Sequence, residues 1–156
     1  MPTASLSMWR RRRALPPLVL VGPGSHWAQG GTLSQAQIHA LGYLEKREVH
    51  ALMQASTALV FPSLEEGFGL PVAEAFAAGL PVICSHGSAL EETAGDAAIL
   101  VNPLETASIA SGIESLVDDP NRAQELRRRG RERAQLFDWD RAATQTLEFY
   151  RRVLGR

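Results

Sequence analysis

The sequence predicts an α/β domain with a mainly parallel, doubly wound sheet, and three observations carry that expectation. Short β-branched runs alternate with stretches of helical apolar spacing, most runs close on Gly, Pro or Asn, and 156 residues suit one domain with one sizeable core. Residues 1–16 precede the pattern: they show no periodicity, carry Arg10 to Arg13 directly before Pro16-Pro17, and read as a basic, disordered tail. Residues 17–156 read as the domain.

Leu18-Val19-Leu20-Val21 is expected to be a buried strand stopped by Gly22-Pro23-Gly24. A second, shorter strand is expected over Gln37 to Leu41, then a helix from Glu45 to Ala55 with Val49, Leu52 and Met53 on one face. Thr57 to Phe61 is the next strand, closed by Pro62-Ser63. A helix over Pro71 to Ala78 follows, with proline suited to its start and Gly79 to the position just past its end. Leu80 to Cys84 and Ala97 to Val101 are the last strands, the final one ended by Asn102-Pro103. The remainder is helical. Leu104, Ile109, Ile113, Leu116 and Val117 form one stripe; Asp119-Pro120 opens a helix with Ala123, Leu126, Ala134 and Phe137 inward and its arginines on the far side. Asp138 caps a last helix with Trp139, Ala143, Leu147, Tyr150 and Leu154 on one face.

Composition excludes several function classes. Lys+Arg number 16 against 17 Asp+Glu, so the net charge of -1 offers no general attraction for nucleic acid or an anionic membrane. The single cysteine, Cys84, forbids an intrachain disulfide and a cysteine-based zinc site, and reads as a buried small hydrophobe. No apolar run reaches the roughly 18–20 residues that span a bilayer, so there is no integral membrane segment, and a cytoplasmic location, with peripheral contact at a membrane as a variant, is expected. The bases are unevenly spread: between Glu48 and Asn121 there are 11 acidic residues and no Lys or Arg, so the middle of the chain supplies no cationic side chain of its own.

In a doubly wound sheet, ligands bind beyond the carboxyl ends of the strands, here the loops after Val21, Phe61, Cys84 and Val101. The densest signal is FPSLEEGFGLPVAEAFAAG, Phe61 to Gly79. A buried strand is expected to deliver the chain to Ser63-Leu64-Glu65-Glu66, two glycines let backbone approach a ligand, and the early amides of the next helix point back at that loop. Glu66 before the turn and Glu74 in the helix frame it. A carboxylate that accepts two hydrogen bonds holds a ribose diol, a task suited to Glu74; Glu66, nearer the mouth, suits a second polyol. Two solvated carboxylates, or the acid and base of a glycoside hydrolase, are the competing readings of the same pair.

At these residues the chain resembles the retaining glycosyltransferases of family 4, within glycosyl transferase group 1, whose fold is GT-B. Glu66 and Glu74 stand at the family's E-x7-E spacing around GFGLPVA, and LVLVGPG, LGYLEKREVHALMQASTALVFPS, AGLPVICSHGSALEETAGDAAILVNP and FDWDRAATQTLEFYRRVL resemble its flanking segments over about 140 residues. The resemblance implies a Rossmann-like C-terminal half of GT-B that binds a nucleotide-sugar and passes the sugar to an acceptor hydroxyl with retention. It implies that Glu74 holds the ribose, that Glu66 is catalytic and contacts the donor sugar, and that amides of Gly67, Phe68, Gly69 and Leu70 bind sugar or phosphate. The base would lie against Leu41 to Leu44, with Tyr43 and Leu44 as contacts, and Gly22, Ser63 and His86 as further loop contacts. No cofactor or metal is implied, because helix amides and basic groups offset the diphosphate.

Departures from the family pattern raise a rival reading. The family's N-terminal acceptor domain has no counterpart here, nor does the first strand and helix of the donor half, where an Arg and a Lys grip the diphosphate. The domain is thus expected to be incomplete at its N-terminal edge, and a partner-dependent or non-catalytic nucleotide-sugar-binding module is the alternative. A separate acceptor-domain protein, or a homo-oligomer through the exposed edge, would complete it; nucleotide-sugar epimerisation is a third class. Glu65 falls outside the spacing and reads as a neighbour; Glu91 and Glu92 read as helix-start acids, and His26, His39 and His50 lack metal-site spacing. The Gly22-Pro23-Gly24-Ser25 turn lacks a Walker lysine. The arginines from Arg127 to Arg133 read as a solvated helix face without the aromatic interleaving of a nucleic-acid binder.

Overall fold

The computed structural model describes residues 16–22 and 38–155. The expectations for Arg10 to Arg13, Pro23-Gly24-Ser25, His26 and Gln37 lie outside those residues. The elements in order are β1 (Leu18–Val21), β2 (Ile38–Gly42), α1 (Lys46–Ala55), β3 (Leu59–Phe61), α2 (Leu70–Ala77), β4 (Val82–Ser85), α3 (Ala89–Ala94), β5 (Ala98–Val101), α4 (Thr106–Val117), α5 (Pro120–Ala134) and α6 (Trp139–Leu154). All strand pairs are parallel, which the alternation of strands with helices requires.

The strands form two sheets rather than one. β3, β4 and β5 lie side by side in that order, with Leu59 opposite Val82 and Val82 opposite Ala98, while β1 pairs only with β2, Leu18 opposite Ile38. In the doubly wound order 3-2-1-4-5-6, the second and third strands in sequence lie to one side of the first and the later strands to the other. Among the described residues none pairs β1 with β3. This corrects the expected burial of two strands: β1 is half-buried with Val21 exposed, and β3 is half-buried, whereas all four residues of β4 are buried between two neighbours. β2 is the longer of its pair, five residues against four, because a register shift after Leu20 brings Val21 opposite Gly42.

Between sheet and helices the core is continuous apolar packing. Val72, Ala75 and Phe76 of α2, Leu80, Val82 and Cys84 around β4, and Leu90 and Ala94 of α3 form one cluster; Ile83, Ile99, Val101, Leu116 and Leu126 form a second on the other face. Helix α2 ends as the sequence predicts. Gly79, at φ +72, donates its N–H to Phe76 O at 3.0 Å and Leu80 donates to Ala75 O at 2.9 Å, the paired bonds of a left-handed glycine stop. Helix α5 crosses α2 where Gly130 has no side chain; a Cβ there would come to 2.8 Å from Phe76 Cδ1. Asp119 and Asp138 cap α5 and α6 as expected, accepting from Asn121 N and Arg122 N at 3.0 Å and from Asp140 N at 3.1 Å.

Helix α6 buries none of its residues: the stripe of Trp139, Leu147, Tyr150 and Leu154 is formed but exposed. The arginines of α5 also depart from the expected solvated face. Arg128 does pair outward, with Glu125 and Glu132, but Arg129 reaches Asp96 and Arg133 donates to the carbonyls of Glu92 and Thr93. Their long stems cross from α5 to α3, where unpaired helix-end carbonyls attract guanidinium. No described helix is long and apolar enough to cross a membrane.

Candidate functional site

The loop 62–69 joins the end of β3 to α2, and each end of it is held from the neighbouring elements. Ser85, the last residue of β4, donates its hydroxyl to Ser63 O at 2.6 Å; Thr93 of α3 donates its hydroxyl to Phe68 O. The register of β3 on β4, Phe61 opposite Cys84, sets Ser85 at the end of β4 beside the chain that leaves β3, where it meets Ser63 two residues past Phe61. Gly69 then turns into α2 at φ +91, a conformation that L side chains rarely adopt, and a Cβ there would overlap Leu90 Cδ2. Glycine at 69 is therefore required twice over. Gly67 has open space around it and negative φ, so its lack of a side chain leaves room rather than permitting the turn.

The geometry leaves a row of donors. Val72 N–H bonds to Gly69 O at 2.9 Å, but the N–H groups of Gly67, Phe68, Gly69 and Leu70 make no hydrogen bond among the described residues. These are the donors the sequence expected to face a ligand. Glu66 is half-buried in the loop, Glu65 is exposed, and Glu74 lies one turn inside α2. Lys46, at the start of α1, brings Nζ to 3.9 Å from Glu74 Oε1. The middle of the chain supplies no cation, as its composition says, but the fold imports one from outside it. At this distance, and with Lys46 almost wholly exposed, the pair is a weak one.

The other expected contacts lie at strand ends. His86 and Gly87 follow β4: His86 N–H donates to Val101 O at 3.0 Å, and Gly87 N–H donates to Glu91 Oε2 at 2.9 Å, so Glu91 closes this turn. Tyr43 is exposed and Leu44 half-buried in the turn leading into α1, three and two residues before the lysine that meets Glu74. Gly22 is tied to β2 through its N–H to Gly42 O at 2.7 Å. Thus Ser63, Glu66 to Leu70 and Glu74 are gathered on one strand-loop-helix segment with His86 beside it, Tyr43 and Leu44 precede the helix whose Lys46 meets Glu74, and Gly22 belongs to the separate β1–β2 pair.

Flanking the segment is an open groove of about 1100 Å³ between α1, α2 and the start of α6, lined by Lys46, His50, Met53, Leu70, Glu74 and Trp139 among others. Behind it, Cys84 is buried, and burial together with the Glu91 charge pushes its thiol up to about 11, so it is inert as a nucleophile, as the sequence expects. Among the described residues no three His, Cys, Asp or Glu gather as a metal site.

Sequence reasoning missed Ser85, Leu90, Thr93, Lys46 and Arg133. Only the first had a local signal, a serine at the carboxyl end of an otherwise apolar strand. The rest depend on contacts more than 20 residues apart, such as Leu90 with Gly69 and Thr93 with Phe68.

Comparison with known proteins bears on the family and the fold. The sequence profile described as "Glycosyl transferases group 1" matches residues 18–133. The chain is 35% identical over 114 residues to O-antigen chain mannosyltransferase B of Escherichia coli, covering 73% of this chain and 30% of that protein. It is 34% identical over 151 residues to glycogen synthase of Mycobacterium tuberculosis, covering 90% of this chain and 36% of that protein. The chain therefore spans about a third of the length of these relatives. Among solved structures, sucrose-phosphate synthase from Thermosynechococcus elongatus superposes with a TM-score of 0.82 at 28% identity, covering 98% of this chain and 42% of that one. The Anabaena protein HepE, in complex with UDP-glucose, superposes at 0.79 with 19% identity, a likeness of fold, over 94% of this chain and 43% of that one. The architecture is the Rossmann-like α/β fold of GT-B glycosyltransferases, and the chain belongs to the group 1 glycosyl transferases.

Proposed function

We propose that this chain forms the donor-binding part of a glycosyltransferase that moves a sugar from a nucleotide-sugar to an acceptor hydroxyl. The single observation that carries the reading is the row of unbonded amides from Gly67 to Leu70, set between Glu66 and Glu74 at the end of β3. Oriented amides at a helix start favour phosphate or developing negative charge without a metal. Glu74 accepts the two ribose hydroxyls, displacing its weak contact with Lys46, which then lies free to meet a diphosphate oxygen. Glu66 meets the donor sugar. In the retaining form of the reaction, nucleotide departure leaves an oxocarbenium-like sugar that the acceptor hydroxyl attacks from the same face, with Glu66 close to the developing positive charge. Relatives named as a mannosyltransferase and a glycogen synthase, and a fold neighbour in complex with UDP-glucose, support a hexose carried on a nucleoside diphosphate.

A second reading has a specific observation behind it. The bare stripe of α6 and the edges of β1 and β3 that have no strand partner among the described residues favour a chain whose turnover depends on a further polypeptide carrying the acceptor site. Both readings share the donor site. Calorimetric titration with UDP-glucose, GDP-mannose and ADP-glucose tests it: one of them binds at micromolar dissociation constant, about 8 kcal/mol. Glu74→Ala weakens that binding at least about tenfold, since hydrogen bonds to a charged group contribute about 1.5–3 kcal/mol. Absence of binding by all three would sink the proposal. Turnover by the chain alone, read as nucleotide release with acceptor sugars, separates the two readings.

A further inference from the structure

Among the described residues two polar side chains are buried, Ser85 and Thr93, and both spend their hydroxyls on the same loop. Each occupies a place where an apolar residue of equal size would fit the surroundings. Ser85 ends the strand Val82-Ile83-Cys84 and is wholly enclosed; Thr93 sits beside Leu90 and Ala94 on the inward face of α3. A buried hydroxyl contributes only where it is bonded, and these two are bonded to the carbonyls of Ser63 and Phe68. Those carbonyls bracket Leu64 to Gly67, the stretch that carries Glu66.

The contact at Phe68 is reinforced from a second direction. Thr93 O accepts from Arg133 Nε at 3.1 Å, the Arg133 guanidinium lies 5.9 Å from the centre of the Phe137 ring, and Phe137 meets the Phe68 ring edge-on, with centroids 5.5 Å apart and planes at 86°. The circuit closes on itself. Phe68 is held by its carbonyl through Thr93 and by its ring through Phe137, and both holders are joined by Arg133. Fixed in this way, the residue has its N–H as the polar group left without a bond among the described residues.

We propose that Ser85 and Thr93 are positioning residues of the donor site, whose hydroxyls pin the two ends of segment 63–68 and so set where Glu66 and the amides of 67–70 point. The inference rests on the donor-site reading above, and it extends that reading in a particular direction: the pinned segment serves the sugar end of the donor, while Glu74, carried on α2, serves the nucleoside end. Loss of a pin should therefore weaken a nucleotide-sugar more than the corresponding bare nucleoside diphosphate. A defect of general stability would weaken both alike.

The test has two arms on the intact chain. In the first, amide hydrogen exchange is followed in wild type, Ser85→Ala, Thr93→Val and Thr93→Ser. Thr93→Val keeps the size of the side chain and removes the hydroxyl, so exchange of the Val72 and Ala73 amides, which bond to Gly69 O just past the pinned carbonyl, should rise about tenfold, while the amides of β4 stay unchanged; Thr93→Ser should restore wild-type exchange. In the second, UDP-glucose, GDP-mannose and ADP-glucose are titrated beside UDP, GDP and ADP. The ratio of nucleotide-sugar to nucleotide affinity should fall about tenfold in Thr93→Val and Ser85→Ala and recover in Thr93→Ser, whereas Glu74→Ala should lower both affinities together. If wild type binds no probe, the donor-site reading fails and the exchange arm alone decides the pins. Unchanged exchange in a folded Thr93→Val chain, or an unchanged ratio where wild type binds, overturns the proposal. Should Thr93→Val not fold, Arg133→Gln opens the circuit at its half-buried outer member and is held to the same two readouts.

Discussion

Two regions of this molecule are written in the same apolar vocabulary and come to different ends. β4, Val-Ile-Cys-Ser, and β1, Leu-Val-Leu-Val, are equally suited to a sheet interior, yet β4 is buried throughout and β1 is half-exposed. Likewise α5 buries Leu126 and Gly130, while α6, of nearly the same length and with more aromatic and aliphatic residues, buries none. The difference lies in neighbours. β4 has a strand on each side and helices on both faces; β1 has one described strand beside it, and the stripe of α6 faces open space. Periodicity states which face of an element is apolar. It does not state whether a surface exists to receive it, and a large exposed apolar stripe is the mark of a surface meant for another.

The packed region should fail first when its core is cut. Phe76→Ala removes a wholly buried ring at the crossing of α2 and α5, and is expected to lower unfolding free energy by about 3–5 kcal/mol in a urea titration. Leu147→Ala on α6, which is 56% exposed, should change it by less than about 0.5 kcal/mol. Comparable losses from the two would abolish the contrast between the regions. A smaller effect of opposite geometry is expected at the same crossing. Gly130→Ala places a methyl at 2.8 Å from Phe76 Cδ1, an overfilled contact expected to be destabilising by about 1–3 kcal/mol. A variant as stable as wild type would mean that α5 stands further from α2 than described.

Much of this was legible in the sequence, and the failures have physical causes. The strands from Leu59 onward, the cap residues Asp119 and Asp138, the glycine stop at Gly79 and the segment from Ser63 to Glu74 follow from local chemistry, because each depends on residues within one turn or one strand. The separation of β1 from β3 did not follow, since strand pairing is a property of what lies between two strands rather than of either one. The same limit hid the support of the site. Thr93 reads as one more residue of a short acidic helix, and Arg133 as one of a solvated run, until folding sets them against Phe68 and Phe137. Glu66 and Glu74 could be named from spacing; the groups that hold their loop could not, because those contacts span 22 to 25 residues.

Helix α6 gives a sharper version of the regional contrast, with a near-zero effect on stability and a visible one on association. Leu147→Glu combined with Leu154→Glu puts charge on its exposed stripe. Thermal unfolding should stay within about 0.5 kcal/mol of wild type, because neither residue contributes to the core. Self-association at high concentration, followed by sedimentation velocity, should fall. If the double variant instead unfolds readily, the stripe is already engaged within the chain.

The smallest expected effect belongs to the outward face of α5, and its direction is set by Glu125. Hydrogen bonds from Arg128 and Arg129 hold its carboxyl at about 2, below the usual value of 4.5, while the Arg128 guanidinium is held above its own. A carboxyl lowered on folding favours the native state above its unfolded value and loses that contribution as pH falls through the folded one. The window thus runs from about pH 4.5 down to about pH 2. Glu125→Gln removes the contribution at neutral pH, so the difference in melting temperature between wild type and variant should shrink steadily across that window. Because these side chains lie in solvent, salt should shrink it too, and the whole effect should remain below that of any core change named above. A difference that is constant from pH 6 to pH 2 would show that the arginines on this face contribute by packing their stems rather than by their charge.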